Sequence, residues 1–103
     1  MLRIFKVSGG SMHPTLHAGD WIITTQHRGP RIHDIVVSML ESNFFVVKRV
    51  QQIDGDSLVL AGDNPRLNSS YCDNPMPITS WMGTVLASFR YPFKFRFEFS
   101  ATL

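Results

Sequence analysis

Phe44-Phe45-Val46-Val47-Lys48-Arg49-Val50-Gln51-Gln52-Ile53-Asp54-Gly55-Asp56-Ser57-Leu58-Val59-Leu60-Ala61 decides the fold. The run from Phe44 to Ile53 is rich in β-branched and aromatic residues, which suit a pleated, half-buried surface. Asp54-Gly55-Asp56-Ser57 carries the Asp-Gly hairpin signal, and Ser57 to Ala61 reads as the returning strand. A long strand folded back on a shorter one predicts a sheet protein. Alternation puts Lys48 on the face of Phe44, Val46 and Val50, and Arg49 on the face of Phe45 and Val47. One of the two cations therefore shares an apolar face.

The flanking sequence continues the pattern. Ile35-Val36-Val37-Ser38-Met39-Leu40 is nearly all apolar and predicts a strand buried on both faces, joined to Phe44 by a turn at Glu41-Ser42-Asn43. Trp21 to Thr25 and Arg3 to Val7 read as two earlier strands. Thr15-Leu16-His17-Ala18 reads as one helical turn stopped by Gly19. After Ala61, a polar stretch from Gly62 to about Pro77 predicts a long functional or mobile loop. Trp81 to Phe89 reads as a strand, with Gly83 at a bulge or a close approach. Phe93-Lys94-Phe95-Arg96-Phe97-Glu98-Phe99 alternates strictly, four phenylalanines against charges, and predicts a last strand. Six or seven short strands with frequent turns predict an all-β domain of coiled antiparallel sheets or a partly open barrel, with little helix.

Composition bounds the class. The chain has 103 residues, 44% hydrophobic and 17% charged, which describes one globular domain with one core. The net charge is +2, and the longest basic pair is Lys48-Arg49, so the reading includes no nucleic acid partner. Cys72 is the single cysteine, which leaves no intrachain disulfide and fits a reducing compartment. Arg3 and Lys6 interrupt the N-terminal apolar residues, and no stretch approaches the roughly 20 apolar residues of a membrane helix. The expectation is a cytoplasmic protein without a cofactor.

The candidate chemistry lies in Val7-Ser8-Gly9-Gly10-Ser11-Met12-His13-Pro14-Thr15-Leu16-His17-Ala18-Gly19-Asp20. Two glycines before Ser11 permit a sharp turn and a close approach of substrate backbone. Pro14 stiffens the segment and biases His13 toward extended geometry. Ser11 should be presented from a rigid turn. A serine is a poor nucleophile unless a base is held against it. Lys48 is the candidate base, because a lysine in apolar surroundings loses the stability of its charged form. Arg49 cannot serve, since a guanidinium stays protonated. The competing reading is that Lys48 snorkels from a sheet edge with its head in water.

These residues carry a resemblance. Ser11-Met12-His13-Pro14-Thr15-Leu16, Gly19-Asp20, Asp34-Ile35-Val36-Val37, Lys48-Arg49-Val50, Gly62-Asp63-Asn64-Pro65 and Gly83-Thr84-Val85 occur in the order seen in signal peptidase I and LexA-type serine–lysine peptidases. The match spans about residues 7 to 87, and the chain resembles a small, anchor-less member. The resemblance implies coiled antiparallel sheets, Ser11 as nucleophile, Lys48 as general base, and peptide cleavage through an acyl-enzyme without a metal. The serine that supplies an oxyanion donor in some signal peptidases is Gly9 here, so the hole would rest on the Gly9, Gly10, Ser11 and Met12 backbone. The serine that orients the lysine in signal peptidases falls at Asn68, with Ser69 and Ser70 just beyond as stand-ins. Tyr71-Cys72-Asp73-Asn74 replaces the usual Asp-Ser-Arg, which moves the resemblance toward LexA-type and small maturation proteases. The chain begins ten residues before Ser11, without a membrane anchor, DNA-binding domain or cleavage segment, so the expectation is a substrate supplied in trans. That substrate, a protein or peptide, would bind as an added strand and lose a leader or N-terminal segment.

Other signals have two readings each. Asp63 either pairs with Arg49 and holds the Gly62 loop against the Lys48 strand, or caps its own turn. His13 and His17 are spaced for a metal, but Pro14 and the want of a third ligand favour surface histidines. Cys72 has no basic neighbour to activate it. The Phe93 to Phe99 stripe suits a core-facing strand, a dimer contact or a lipid surface. The alternative to an enzyme is a non-catalytic interaction domain on the same fold, assembling through that stripe or the 62–77 loop.

Overall fold

A computed structural model describes residues 2–40, 44–66, 75–90 and 94–97. The hairpin forms as the sequence predicts. The strands at Phe45–Asp54 and Ser57–Ala61 pair antiparallel from Asp54 opposite Ser57 to Arg49 opposite Ala61. Gly55 takes φ +60° at the first central position of the turn, the backbone a side chain disfavours. A bulge between Val50 and Gln52 shifts the register. The expected Glu41–Asn43 turn lies outside the described residues.

In chain order the strands are β1 (Leu2–Lys6), β2 (Trp21–Thr25), β3 (Ile35–Met39), β4 (Phe45–Asp54), β5 (Ser57–Ala61), β6 (Met76–Pro77), β7 (Trp81–Arg90) and β8 (Lys94–Phe97). They form one sheet in the order β1-β2-β7-β3-β4-β5-β6, with β8 also on β7. The ladders are antiparallel and the sheet curls into an open half-barrel, the coiled all-β architecture the sequence predicts. β7 organises it. Its Thr84 to Phe89 stretch pairs with β2. The opposite edge is shared by β3, at Trp81 to Thr84, and β8, at Ala87 to Arg90. Gly83 sits at both predicted features: the β3–β7 ladder has a bulge there, and a Cβ would lie 2.9 Å from Thr24 Oγ1.

β3 is buried on both faces, and its alternation divides the interior. Ile35 and Val37 face one cluster with Val7, Met12, Leu16, Ile22 and Val85. Val36 faces a second, with Val50, Leu58, Leu60 and Met76. Each fully buried aliphatic side chain contributes roughly 1.5–3 kcal/mol relative to exposure.

Two expectations need correcting or narrowing. Thr15 to Ala18 is not a helical turn of its own: residues 11–15 form successive turns, and Leu16 N–H donates to the Met12 carbonyl at 2.9 Å. The physical reason is that Met12 and Leu16 both anchor in the core, which pulls the bend four residues earlier. Gly19 does take the left-handed backbone, φ +93°. The only helix among the described residues is a 3-10 turn at Ile78–Ser80. Of the phenylalanine stripe, β8 places Phe95 opposite Phe89 and Phe97 opposite Ala87; Phe93 and Phe99 lie outside the described residues.

Candidate active site

Ser11 is carried by a loop tied at its neck. Val7 N–H donates to the Asp20 carbonyl at 2.7 Å, and Gly19 N–H donates back to Val7 at 2.8 Å. Met12 and Leu16, 1% and 0% exposed, hold the loop to the core. Gly9 supplies φ +76°, and His13 N–H closes a turn on the Gly10 carbonyl at 3.1 Å, with Ser11 and Met12 at its centre. The His13–Pro14 peptide is cis. Met12 therefore points inward while Ser11, half-buried, lines a cavity of about 190 Å³.

The opposite wall of that cavity comes from β4. Lys48 lies across from Val36, is 4% exposed and lines the same cavity. It does not snorkel to water. The loop after β5 approaches both residues. A Cβ at Gly62 would lie 2.6 Å from the Ser11 carbonyl oxygen and 3.5 Å from Lys48 Nζ. The Ser11 backbone and the lysine amine thus converge on one glycine, and no larger residue fits between them.

The residues after Gly62 lock the arrangement. Arg49 Nε and Nη2 donate to Asp63 Oδ1 and Oδ2 at 2.9 and 2.8 Å, a bidentate pair, while Arg49 Nη1 donates to the His33 carbonyl. Thr15 Oγ1 donates to Asp63 Oδ2 at 2.6 Å. Asp63 therefore joins β4 to the Ser11 loop, the first of the two roles the sequence left open. Asn64 closes the contact: its N–H donates to the Ser11 carbonyl and its Nδ2 to the Gly10 carbonyl, both at 2.8 Å. A trans peptide is planar, so fixing those two carbonyls also fixes the Ser11 and Met12 N–H groups, aimed the opposite way.

A second knot stands at the loop's far end. Arg90 Nε donates to Asp20 Oδ1 at 2.7 Å, His17 N–H donates to Asp20 Oδ2 at 2.9 Å, and Arg90 Nη2 meets His17 Nδ1. Burial pushes the Asp20 carboxyl up, but hydrogen bonds from Arg90 and His17 outweigh it and hold the group below the ordinary carboxylate value. Loss of hydration, then the charges of Arg90 and His13, hold His17 below its ordinary value against the pull of Asp20. His13 and His17 pack edge to face, and no metal-binding cluster occurs among the described residues.

A family model described as Peptidase S24-like, of the LexA and signal peptidase type, matches residues 1–86. The chain belongs to this peptidase family. A search of curated proteins gave no match. In this S24-like domain Ser11, Lys48, Gly9, Gly10, Met12, Arg49 and Asp63 all stand in one neighbourhood. Ser69, Ser70 and Cys72 lie outside the described residues. No helix among the described residues is long and apolar enough to cross a membrane. Sequence reasoning assigned no role to Thr15 or Asn64, although both stand inside quoted motifs. It missed the Asp20–Arg90 knot, whose partners are 70 positions apart and carry no local signal.

Proposed function

We propose that this domain is a serine–lysine endopeptidase that removes a leader or N-terminal segment from a protein partner. The observation that carries this reading is the convergence of Ser11 and the buried Lys48 on Gly62 and on one cavity. Removal from water disfavours an ammonium relative to an amine, so the burial favours the form of Lys48 that accepts a proton.

The chemistry follows from those positions. Lys48 takes the hydroxyl proton as Ser11 Oγ bonds to the scissile carbonyl carbon. The carbonyl electrons move to oxygen, and the oxyanion is met by the fixed N–H groups of Ser11 and Met12. Collapse breaks the carbon–nitrogen bond, and the Lys48 ammonium returns the proton to the departing amine. Lys48 then takes a proton from water, whose oxygen attacks the ester, and Ser11 leaves with that proton. Asp63 and Arg49 keep the two arms in register.

The substrate docks as an extended strand. β5 pairs with β4 only from Arg49 onward, so the Phe45–Val47 part of β4 has β3 on one edge and no described strand on the other. Val50 exchanges its hydrogen bonds with His33 and Asp34 on the β3 side. Alternation then turns the Phe45 and Val47 peptide groups toward the open edge, beside the cavity.

Cleavage of a leader-peptide panel by the intact protein, Ser11→Ala and Lys48→Ala tests the dyad. The expected loss is about a thousandfold or more in each variant. Equal rates in all three chains would refute it.

A further inference from the structure

The loop that carries Ser11 ends in a contact that the chemistry above does not use. Arg90, the last residue of β7, lies where that strand is held by β2 at Phe89 and by β8 at Arg90 itself. From this fixed position its Nε donates to Asp20 Oδ1 at 2.7 Å and its Nη2 to Asp20 Oδ2 at 3.3 Å. The same Nη2 meets Nδ1 of the half-buried His17. A guanidinium only donates, so His17 Nδ1 must accept, as the bare nitrogen of a neutral imidazole does. From His17 a short relay leads to the nucleophile. Its chain neighbour Leu16 is fully buried, and the Leu16 N–H holds the Met12 carbonyl at 2.9 Å. Met12 follows Ser11 and carries one of the two N–H groups that the proposed mechanism sets against the oxyanion.

A proton on His17 breaks this contact. An imidazolium carries hydrogen on both nitrogens and has no acceptor left, so two donors and two positive charges would face each other. Among the described side chains, the charged or titratable groups that face His17 are Arg90 from β7 and His13 and Asp20 from its own loop. Lys6, from β1, lies over the Trp21 ring instead. Lost hydration, then Arg90 and His13, oppose the charge more than Asp20 favours it, so His17 takes its proton below the ordinary 6.5. The stability that neutral His17 contributes is therefore present above 6.5 and is lost as pH falls from there through the lower folded value.

We infer that His17 and Arg90 are positioning residues for the Ser11 loop, and that their contact is a proton-operated clasp: closed on neutral His17 it holds the loop in working geometry, and opened by protonation it frees residues 12–17 from β7 and lowers turnover. This rests on the peptidase reading of Ser11 and Lys48. Neither His17 nor Arg90 touches the reacting atoms.

Two measurements on the full chain test the clasp. The first is NMR of the intact protein, which needs no variant to fold. The Ser11 and Met12 amide resonances are expected to move with the midpoint of the His17 imidazole, below 6.5. That movement should persist in His13→Asn and vanish in His17→Asn, whose side-chain oxygen accepts from Arg90 in place of Nδ1 and does not titrate. Ser11 and Met12 amides that stay still through the His17 titration would overturn the inference. The second is the ratio of kcat between the intact protein and His17→Asn on a cleaved leader peptide, which cancels the protonation of Lys48 that both share. The ratio should fall about tenfold from about pH 8 to about pH 5, with KM changed less than threefold. His17→Leu, which cannot accept from Arg90, should show the low rate already at about pH 8, and His17→Asn should restore it. A flat ratio with full turnover would overturn the clasp and leave the dyad standing. Coupled amide shifts in a protein that turns over no peptide would overturn the dyad and leave the clasp standing.

Discussion

Asn64 does more at the residue scale than its place after a turn suggests. Its two donors hold the Gly10 and Ser11 carbonyls at 2.8 Å and so orient the Ser11 and Met12 N–H groups, which the proposed mechanism sets against the substrate oxyanion. A neutral hydrogen bond here is worth only about 1 kcal/mol to stability. Its larger effect is on charge that develops during reaction. Asn64→Ala keeps the backbone donor and loses Nδ2. The expected outcome is a kcat lowered about ten- to a hundredfold with KM changed less than threefold. An equal rise in KM would show ground-state binding instead. Asp20 gives a second residue-scale prediction. Its folded value lies below the ordinary 3.8, so its contribution is present above that pH and is lost as pH falls through the lower folded value. Urea unfolding should show the intact protein losing its advantage over Asp20→Asn as the pH is lowered below 3.8. A constant difference across that range would mean Asp20 acts only through packing.

At the element scale, β3 is the seam between two clusters. Val36 and Val37 are adjacent, but their side chains share no partners. Val36→Ala and Val37→Ala should each cost about 2 kcal/mol, and the double variant should cost their sum within about 0.5 kcal/mol. Denaturant melts of the four chains check this; a coupling of 1 kcal/mol or more would mean the clusters act as one core. β3 also shows what the sequence makes legible. An unbroken apolar run means burial on both sides, and the Asp54-Gly55 turn sets its hairpin by local backbone preference alone. The Thr15 to Ala18 segment was misread because its geometry is set by where Met12 and Leu16 reach the core, which no local pattern encodes. Lys48 was ambiguous for the same reason. Alternation gives its face, but only the loop after β5, arriving at Gly62, determines that the amine stays out of water.

At the scale of the whole molecule, the site is assembled from three separate lengths of chain. The loop between β1 and β2 carries Ser11, β4 carries Lys48, and the Gly62–Asn64 segment pins one to the other. The order of the motifs along the chain was readable, and so was the pairing of a serine with a lysine. Their convergence was not, because it depends on the curl of the sheet. The central claim is that Ser11 attacks and Lys48 activates it. Intact-mass analysis of acid-quenched reactions with a cleaved leader peptide tests it most directly. The prediction is an acyl adduct of one cleavage product, mapped to Ser11 in the intact protein and absent from Ser11→Ala and Lys48→Ala. Cleavage that proceeds in Ser11→Ala at the intact rate, or an adduct mapped to another residue, would contradict it.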